Sequence, residues 1–409
     1  MASKDSQRAQ HLILSCSDCG TLQQHPGAGA ALTCITCKNT LERSSWRSLD
    51  AALATASATF LFLIPANLMT LLSASVIGVT RQSLLISSAT EIWAEGWPLL
   101  AAVIALFLVI LPLVRFGLLT LVLGCLRLGV RARWLGPAFQ TTVGLATWAM
   151  PDVFLLGLWI AYARLSATLS VSLGPGGLCF IAAGLLALFN RATLNTAEIW
   201  RQIHPSAAQD LWHAVTSCET CELVVPATEL GRRCLRCRSR LHARKVNGTV
   251  RAAALTAAGL LLYVPANLYA MATIPIGIRP TGYTVLQGVL DLVDARLYAL
   301  AALVFSASFA IPLLKLVGMT WFIWSIWRRS SRALRARTRF YRVVEEIGRW
   351  SMVDPFTIAC FVPVMQINAA LYGRAGPAAT AFTGVVVMTM AAAKLFDPRA
   401  MWDIAEMRR

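Results

Sequence analysis

Long apolar runs constrain this chain more than any other feature of its sequence. Eight of them occur, and the longer ones reach the roughly 20 residues that a helix needs to cross a bilayer. They lie at 51–72, 97–126, 142–163, 176–189, 252–274, 297–327, 350–371 and 378–393. We therefore predict an all-α polytopic membrane protein with eight transmembrane helices.

The basic residues lie mostly outside these runs and predict an orientation. The formal net charge is +17, yet charged residues make up only 14% of the chain, against roughly 25% in soluble proteins. Thirty Lys and Arg fall on one side of the predicted spans and five on the other. Because cytoplasmic loops carry the excess of Lys and Arg, we expect both termini in the cytoplasm. The same topology explains the basic segments, so we do not expect nucleic acid as a partner.

An internal repeat divides the chain into two similar halves. The string IPANL at Ile64–Leu68 recurs as VPANL at Val264–Leu268, and Trp148, Met150 and Asp152 recur as Trp350, Met352 and Asp354. Four spans in each copy give both copies the same orientation, as in parallel transporter repeats. We predict a zinc-ribbon-like domain at 1–48, a four-helix repeat at 49–200, a second ribbon at 201–248 and a second four-helix repeat at 249–409.

Two cysteine clusters precede the two membrane repeats. They follow C-x2-C-x14-C-x2-C and C-x2-C-x12-C-x2-C spacings, and their members are Cys16, Cys19, Cys34, Cys37, Cys218, Cys221, Cys234 and Cys237. Four thiolates at such spacing are typical of a structural Zn²⁺ site, which leaves no open position for catalysis. Iron uses the same four ligands, so the sequence leaves zinc and iron open. We expect two metal ions per chain, with zinc favoured.

Only four charged residues fall within the predicted spans: Arg115, Asp152, Lys315 and Asp354. Charges at membrane depth are costly, and they usually mark pairs or polar cavities. We predict that Arg115 and Asp152 form a structural ion pair. In the second copy Lys315 and Asp354, together with Ser351 and Asn267, are candidates for a titratable network, because Lys can release a proton where Arg cannot. The alternative is that both pairs only fasten helices or lie at the interface.

Several motifs in order resemble the paraquat-inducible protein A family. They are the duplicated cysteine clusters, the PANL string of each copy, PLLK at 312–315, WSM-x-D at 350–354 and the closing AAKLFDPRAMWD at 392–403. The resemblance covers nearly the whole chain. It implies a bacterial inner-membrane protein that partners a periplasmic protein with mammalian-cell-entry (MCE) domains and moves phospholipid or another lipid between membranes.

The resemblance also places functional residues on this sequence. It assigns the family's two zinc ribbons to the eight clustered cysteines and its polar intramembrane residues to Lys315, Ser351 and Asp354. The first copy departs from this pattern, since Arg115 and Ala149 replace the Lys and Ser. We expect a transport subunit, possible proton coupling and no enzyme activity. The alternatives are a redox membrane protein with rubredoxin-like iron sites and a non-transporting scaffold for the MCE assembly.

Overall fold

The computed structural model describes most of the chain. The described residues are 13–24, 32–42, 49–76, 79–166, 170–204, 215–276, 279–368, 371–372 and 374–406. The two termini, which we expected in the cytoplasm, lie outside these ranges. The described part is mostly helical. Short strands lie beside the cysteine clusters and between helices of each repeat.

Short hairpins frame each cysteine cluster. The first cluster has strands β1 (Ile13–Ser15), β2 (Leu22–Gln24), β3 (Leu32–Thr33) and β4 (Thr40–Glu42), which pair as β1–β2 and β3–β4. The second cluster has the antiparallel pair β8 (Val215–Ser217) and β9 (Val224–Pro226). A two-hairpin unit of this size buries little apolar surface by itself, so a bound metal would have to stabilise it.

The first membrane repeat consists of helices joined by a small sheet. Its helices are α1 (Leu49–Leu68), α2 (Leu85–Ala94), α3 (Pro98–Arg127), α4 (Leu135–Leu145), α5 (Pro151–Ser166), α6 (Pro175–Thr193) and α7 (Thr196–Ile203). Strands β5 (Leu72–Val76), β6 (Val79–Ser83) and β7 (Ser170–Leu173) form a sheet in the order β6-β5-β7. The Ser73 and Ser75 hydroxyls face those of Ser172 and Ser170 at 2.8 Å across β5 and β7.

The second repeat follows the same plan. Its helices are α8 (Gly248–Leu268), α9 (Val285–Asp294), α10 (Tyr298–Trp327), α11 (Leu334–Ile347), α12 (Val353–Met365), α13 (Pro377–Leu395) and α14 (Ala400–Glu406). A 3₁₀ turn at Gly348–Met352 leads into α12. Strands β10 (Ala272–Ile276), β11 (Arg279–Tyr283) and β14 (Arg374–Ala375) repeat the three-stranded sheet, and β12 (Gln366–Asn368) pairs with β13 (Leu371–Tyr372).

Within the described residues, six helices are long and apolar enough to cross a membrane: α1, α3, α6, α8, α10 and α13. They correspond to the first, second and fourth predicted spans of each copy. The third predicted spans differ. The segment at 142–163 divides into the end of α4 and the 16-residue α5, and the segment at 350–371 becomes a 3₁₀ turn, the 13-residue α12 and a strand. The small sheets were also not predicted.

Both 30-residue helices contain a π-helical turn just before a proline. The turns occupy Ala105–Ile110 in α3 and Ser306–Ala310 in α10, and Pro112 and Pro312 follow them. Proline has no N–H to donate and crowds the preceding turn, so the helix widens there instead of breaking. Each of these prolines is therefore accommodated by a π turn within a continuous helix.

The two repeats contact each other through α5 and α12, the helices found where the third span of each copy was predicted. α5 and α12 pack against each other, and the rings of Phe154 and Phe356 meet edge to face with centroids 5.8 Å apart. The approach is closest at Gly157, where a Cβ atom would lie 3.1 Å from the Cβ of Phe356 and 3.3 Å from the carbonyl oxygen of Val353. Apolar residues surround these helices, which explains why both are short and buried.

Enlarging Gly157 should weaken the contact between the repeats. We expect Gly157→Leu to cost about 1–3 kcal/mol, because overpacking displaces neighbouring backbone, and to lower the thermal unfolding midpoint in detergent. Gly124→Leu is the matched control, since nothing lies within 4 Å of a Cβ placed at Gly124 in α3. Equal midpoints for the two variants would contradict the close approach of α5 and α12.

Candidate metal centres and intramembrane polar site

Four equivalent backbone turns present the clustered cysteines. In each C-x2-C turn, the residue after the second cysteine donates its N–H to the carbonyl of the first, at 2.9–3.0 Å. That residue has a positive φ in every turn: 77° at Gly20, 62° at Lys38, 56° at Glu222 and 63° at Arg238. The left-handed conformation closes the turn and aims both sulfurs to one side. The backbone geometry of each turn thus positions two of the four sulfurs of a site.

The structure brings the eight predicted cysteines together as two separate groups. Within each group all four sulfurs lie within 4.8 Å of one another, and they are buried. The Sγ atoms of Cys16 and Cys37 are 3.5 Å apart, and those of Cys221 and Cys234 are 3.6 Å apart. A tetrahedron with metal–sulfur bonds of about 2.3 Å has edges of about 3.8 Å. All eight cysteines are free of disulfides, so each group could hold one metal ion.

Hydrogen-bond donors surround the sulfurs. The Nη2 atom of Arg342 lies 3.2 Å from the Sγ of Cys37, and its Nε donates to the carboxylate of Asp18. In the second group the hydroxyl of Ser239 lies 3.2 Å from one sulfur and 2.9 Å from another. A divalent ion bound by four thiolates keeps two negative charges, which such donors stabilise. The four sulfurs and the hydrogen-bond donors around them therefore suit a tetrahedrally coordinated metal ion. One of these donors, Arg342, lies in α11.

The closing motif of the sequence ties both clusters to the second repeat. The indole of Trp402 packs beside the first cluster and donates to Thr338 at 3.1 Å. The guanidinium of Arg399 donates to Glu219, which lies in the second cluster, at 2.9 Å. Asp403 accepts two hydrogen bonds from Arg244, at 2.6 and 2.8 Å. The part of the motif that follows α13, residues 396–403, thus anchors the domains that carry the cysteine clusters.

Asp397 is the centre of this anchor. Its oxygens accept from the guanidinium and the N–H of Arg399 at 3.1 Å and from the N–H of Lys245 at 3.4 Å. Burial alone would raise the pKa of the Asp397 carboxyl, but the charge of Arg399 and these hydrogen bonds outweigh it and hold that pKa below its usual range. Asp397 therefore stays ionised and keeps the anchor closed at neutral pH.

The charged residues of the first repeat differ from the predicted arrangement. Asp152 forms its ion pair with Arg349 of the second repeat, whose Nη2 donates to both carboxylate oxygens at 2.8 and 3.0 Å, and not with Arg115. Arg115 instead donates to the carbonyl of Ala149 at 3.4 Å and lies over the ring of Phe116. The structural ion pair thus joins the two copies, and its base lies in the 3₁₀ turn before α12.

Lys315 and Ser351 are buried at the same level of the second repeat. Lys315 is 2% exposed, and its Nζ donates to the carbonyl of Gly348 at 3.1 Å. A Cβ at Gly348 would lie 2.8 Å from the Lys315 Cε, so a larger residue there would require the lysine side chain to shift. The Ser351 hydroxyl is buried with no partner. A cavity of about 20 Å³, enough for about one water, adjoins Lys315 and Glu345.

Asp354 adjoins a much larger cavity on its other side. That cavity measures about 350 Å³ and has mainly apolar walls from α5, α9, α10 and α12. The Oδ2 atom of Asp354 and the hydroxyl of Ser308 are buried and form no hydrogen bond of good geometry, but they lie close enough to interact with each other. Both residues line this cavity together with Arg164 of the first repeat. No ion pair joins Asp354 to Lys315 in the described part of the chain. The two residues instead face different cavities.

Asn267 lies apart from this group. Its side-chain amide donates to the carbonyl of Tyr263 in its own helix at 2.8 Å, and no described contact links it to Lys315 or Asp354. Sequence reasoning also missed two residues of the site. Arg349 and Arg164 fall just outside the predicted spans at 350–371 and 142–163, and their roles depend on contacts between copies that spacing within one copy does not reveal.

Removing Arg349 should lower the stability of the protein far more than removing the arginine of an exposed ion pair. We expect Arg349→Ala to cost about 3 kcal/mol, because it removes the only ion pair of the buried Asp152 carboxylate within the described residues. Arg127→Ala is the control, since its ion pair with Asp50 is exposed and should contribute at most about 1 kcal/mol. Thermal unfolding in detergent provides the measurement. Adding Asp152→Asn to Arg349→Ala should recover much of the loss, and no recovery would contradict the pair.

Comparison with known proteins shows the family. The sequence model described as "Paraquat-inducible protein A" matches twice, at residues 49–204 and 250–406. These ranges coincide with the two membrane repeats and begin after each cysteine cluster, which supports the duplication. No solved structure matches the chain.

Individual relatives agree with the family match. The chain is 30% identical over 407 residues to the intermembrane transport protein PqiA of Escherichia coli strain K12, covering 97% of this chain and 96% of that protein. It is 30% identical over 281 residues to the lipophilic envelope-spanning tunnel protein A of the same strain, covering 68% and 65% respectively. A probable intermembrane transport protein of Haemophilus influenzae is 25% identical over 96% of both chains. The predicted resemblance is confirmed, and the chain belongs to the paraquat-inducible protein A family.

Proposed function

We propose that this chain is the inner-membrane subunit of an intermembrane lipid transport system, and that it loads or unloads lipid for a periplasmic MCE-domain tunnel protein. Relatives named as intermembrane transport and envelope-spanning tunnel proteins support this proposal. The observation that carries it is the cavity of about 350 Å³ between the repeats. A mostly apolar cavity with a few polar groups is typical of a site for an apolar ligand.

The proposed topology has eight membrane segments and cytoplasmic metal domains. Six of the segments are the long apolar helices, and α5 and α12 complete the bundle from its interior. The distribution of Lys and Arg supports a cytoplasmic position for the clusters, and the exposed Trp324 and Trp327 at the end of α10 are typical of a membrane interface. The small sheets then lie on the periplasmic side, where the MCE-domain partner would dock.

The polar residues of the second repeat form a proposed proton path. Lys315 adjoins the small cavity on the side of the metal domains, and Asp354 adjoins the large cavity. Ser351 lies between them in sequence, with its hydroxyl buried and unpaired. A proton could pass from Lys315 by way of Ser351 and water to Asp354. Asn267, which bonds within its own helix, would contribute only by shaping α8.

Protonation of Asp354 would couple this path to the lipid. An ionised carboxylate in an apolar cavity disfavours a hydrocarbon chain beside it, whereas a neutral carboxyl does not. Lipid occupancy and proton binding are then linked, so each shifts the equilibrium of the other. Arg349 neutralises the equivalent Asp152, so the first copy would contribute no carboxyl group to the proton path. The roles proposed for the two copies need no catalytic group, consistent with a transporter that is not an enzyme.

Asp354→Asn should abolish the coupling. We expect proton-driven transfer of a fluorescent phospholipid from proteoliposomes to the MCE-domain partner to fall about tenfold or more, because the amide cannot bind the proton. Asp294→Asn is the control, since Asp294 is an exposed carboxylate at the end of α9. Full, gradient-dependent transfer by Asp354→Asn would contradict the proton path, and absence of transfer by the wild type would contradict the transport function.

Each cysteine cluster should bind one zinc ion. The ion would contribute folding free energy to a ribbon that has little core of its own, with all four coordination positions taken by thiolates. Elemental analysis should find about two zinc per chain, and Cys34→Ser and Cys234→Ser should each remove about one. Cys179→Ser in α6 is the control and should keep both. Iron with a reducible visible absorbance would contradict zinc and favour the electron-transfer alternative.

A further inference from the structure

Arg164 is a half-buried cation beside the large cavity. It lies in the last turn of α5 and lines that cavity. Its Nε atom is buried with no hydrogen bond, and its guanidinium forms no ion pair with any described residue. The carboxylates of Asp354 and Asp291 lie near enough to interact with its charge, but neither contacts it directly. The Nε donor is therefore left for an anionic group of a ligand that enters the cavity.

The walls of the cavity indicate what accompanies that anion. Most of the lining side chains are apolar, among them Ile160, Leu292, Val304, Ile358 and Phe361. Such walls suit a hydrocarbon chain better than a free inorganic ion, because apolar surface gains by excluding water. An anion attached to a hydrocarbon chain satisfies both parts of the site. The guanidinium fork binds phosphate oxygens in pairs, which makes a phosphate group a good match for Arg164.

A carboxylate lies one helical turn from the guanidinium. Gly288 of α9 approaches Arg164 closely, since a Cβ there would lie 3.7 Å from Nη2 and 3.8 Å from Nη1. Asp291 is three residues further along α9 and lines the same cavity. Residues three apart share one face of a helix, so the carboxylate of Asp291 is beside the guanidinium but not paired with it. The opening of the cavity thus carries a positive charge on Arg164 and a negative charge on Asp291, and the two do not form an ion pair.

Comparison of the two copies explains why Asp291 is available. Its counterpart 200 positions earlier is Glu91, which forms an ion pair with Arg81 at 3.2 Å. The second copy has Thr281 where the first has Arg81. The base that pairs with Glu91 therefore has no counterpart beside Asp291, which is exposed and lies near Arg164 without forming an ion pair with it.

We propose that this opening binds the headgroup of a zwitterionic phospholipid, with the phosphate on Arg164 and the ammonium on Asp291. One acyl chain occupies the apolar part of the cavity toward Asp354. The inference rests on the proposed lipid transport and names its substrate class, a phospholipid of the phosphatidylethanolamine type. An anionic headgroup such as phosphatidylglycerol satisfies Arg164 but leaves Asp291 facing a phosphate without an ammonium, so it binds less tightly.

Native mass spectrometry of the purified full chain in nonionic detergent tests the assignment. The probes are phosphatidylethanolamine, phosphatidylglycerol, diacylglycerol and inorganic phosphate. The wild type should retain phosphatidylethanolamine most strongly and diacylglycerol least. Arg164→Gln should weaken phosphatidylethanolamine binding about tenfold, the effect of losing a charged hydrogen bond, and Arg164→Lys should recover part of it. Asp291→Asn should remove the preference for phosphatidylethanolamine over phosphatidylglycerol.

The control is Arg296→Gln, which removes the same charge from an exposed position beside the cavity and should leave lipid retention unchanged. An unchanged thermal unfolding midpoint in detergent would show that the membrane helices of each variant are folded. Unaltered binding by Arg164→Gln, or a wild-type preference for phosphatidylglycerol, would overturn the headgroup assignment while leaving lipid transport intact. Competition by inorganic phosphate at equal strength would identify a free-anion site and also overturn it. Failure of the wild type to retain any phospholipid would instead count against the proposed function itself.

Discussion

The packing of α5 against α12 is the contact on which the rest of the membrane domain depends. Both helices are too short to be counted among the apolar spans, and both are buried between the longer ones. Gly157 lets them approach closely. Each helix begins near an aspartate, so this contact also decides where two carboxylates are placed within the helical bundle. In a bilayer such groups must meet a partner or a polar cavity, and the two copies meet this requirement in different ways.

The two copies differ in how their carboxylates are paired, and this difference distinguishes residues with a structural role from residues with a proposed function. Asp152 accepts both of its close hydrogen bonds from Arg349, and Glu91 pairs with Arg81. The equivalent carboxylates of the second copy, Asp354 and Asp291, have no such partners and line one cavity instead. A carboxylate that is buried without a partner lowers stability, and this applies to Asp354, whose Oδ2 atom is buried, whereas Asp291 is exposed. The proposed ligand would account for the unpaired Asp354 and would use Asp291 at the opening of the cavity. The second copy thus supplies the site, and the first copy supplies rigidity and Arg164.

Much of the helical plan could be predicted from the sequence because apolar length is a direct signal of a span. The six long helices and the two cysteine clusters follow from such local patterns. The ion pair of Asp152 could not be predicted, because its partner is 197 positions away and in the other copy. Arg164 was assigned to a loop since nothing local shows that α5 ends beside a cavity. The small sheets have strands of two to five residues, too short to outweigh the apolar runs beside them, although Ser and Val alternate in β7.

Determination of the structure by electron cryomicroscopy in nanodiscs made from native membrane lipid is the most direct test. Our account predicts density for a lipid in the cavity between α5, α9 and α12, with its headgroup beside Arg164 and a chain directed toward Asp354, and metal density at each cysteine cluster. A cavity filled only by protein side chains, with Asp354 paired to Lys315, would contradict the claim that this carboxylate and a lipid share one site.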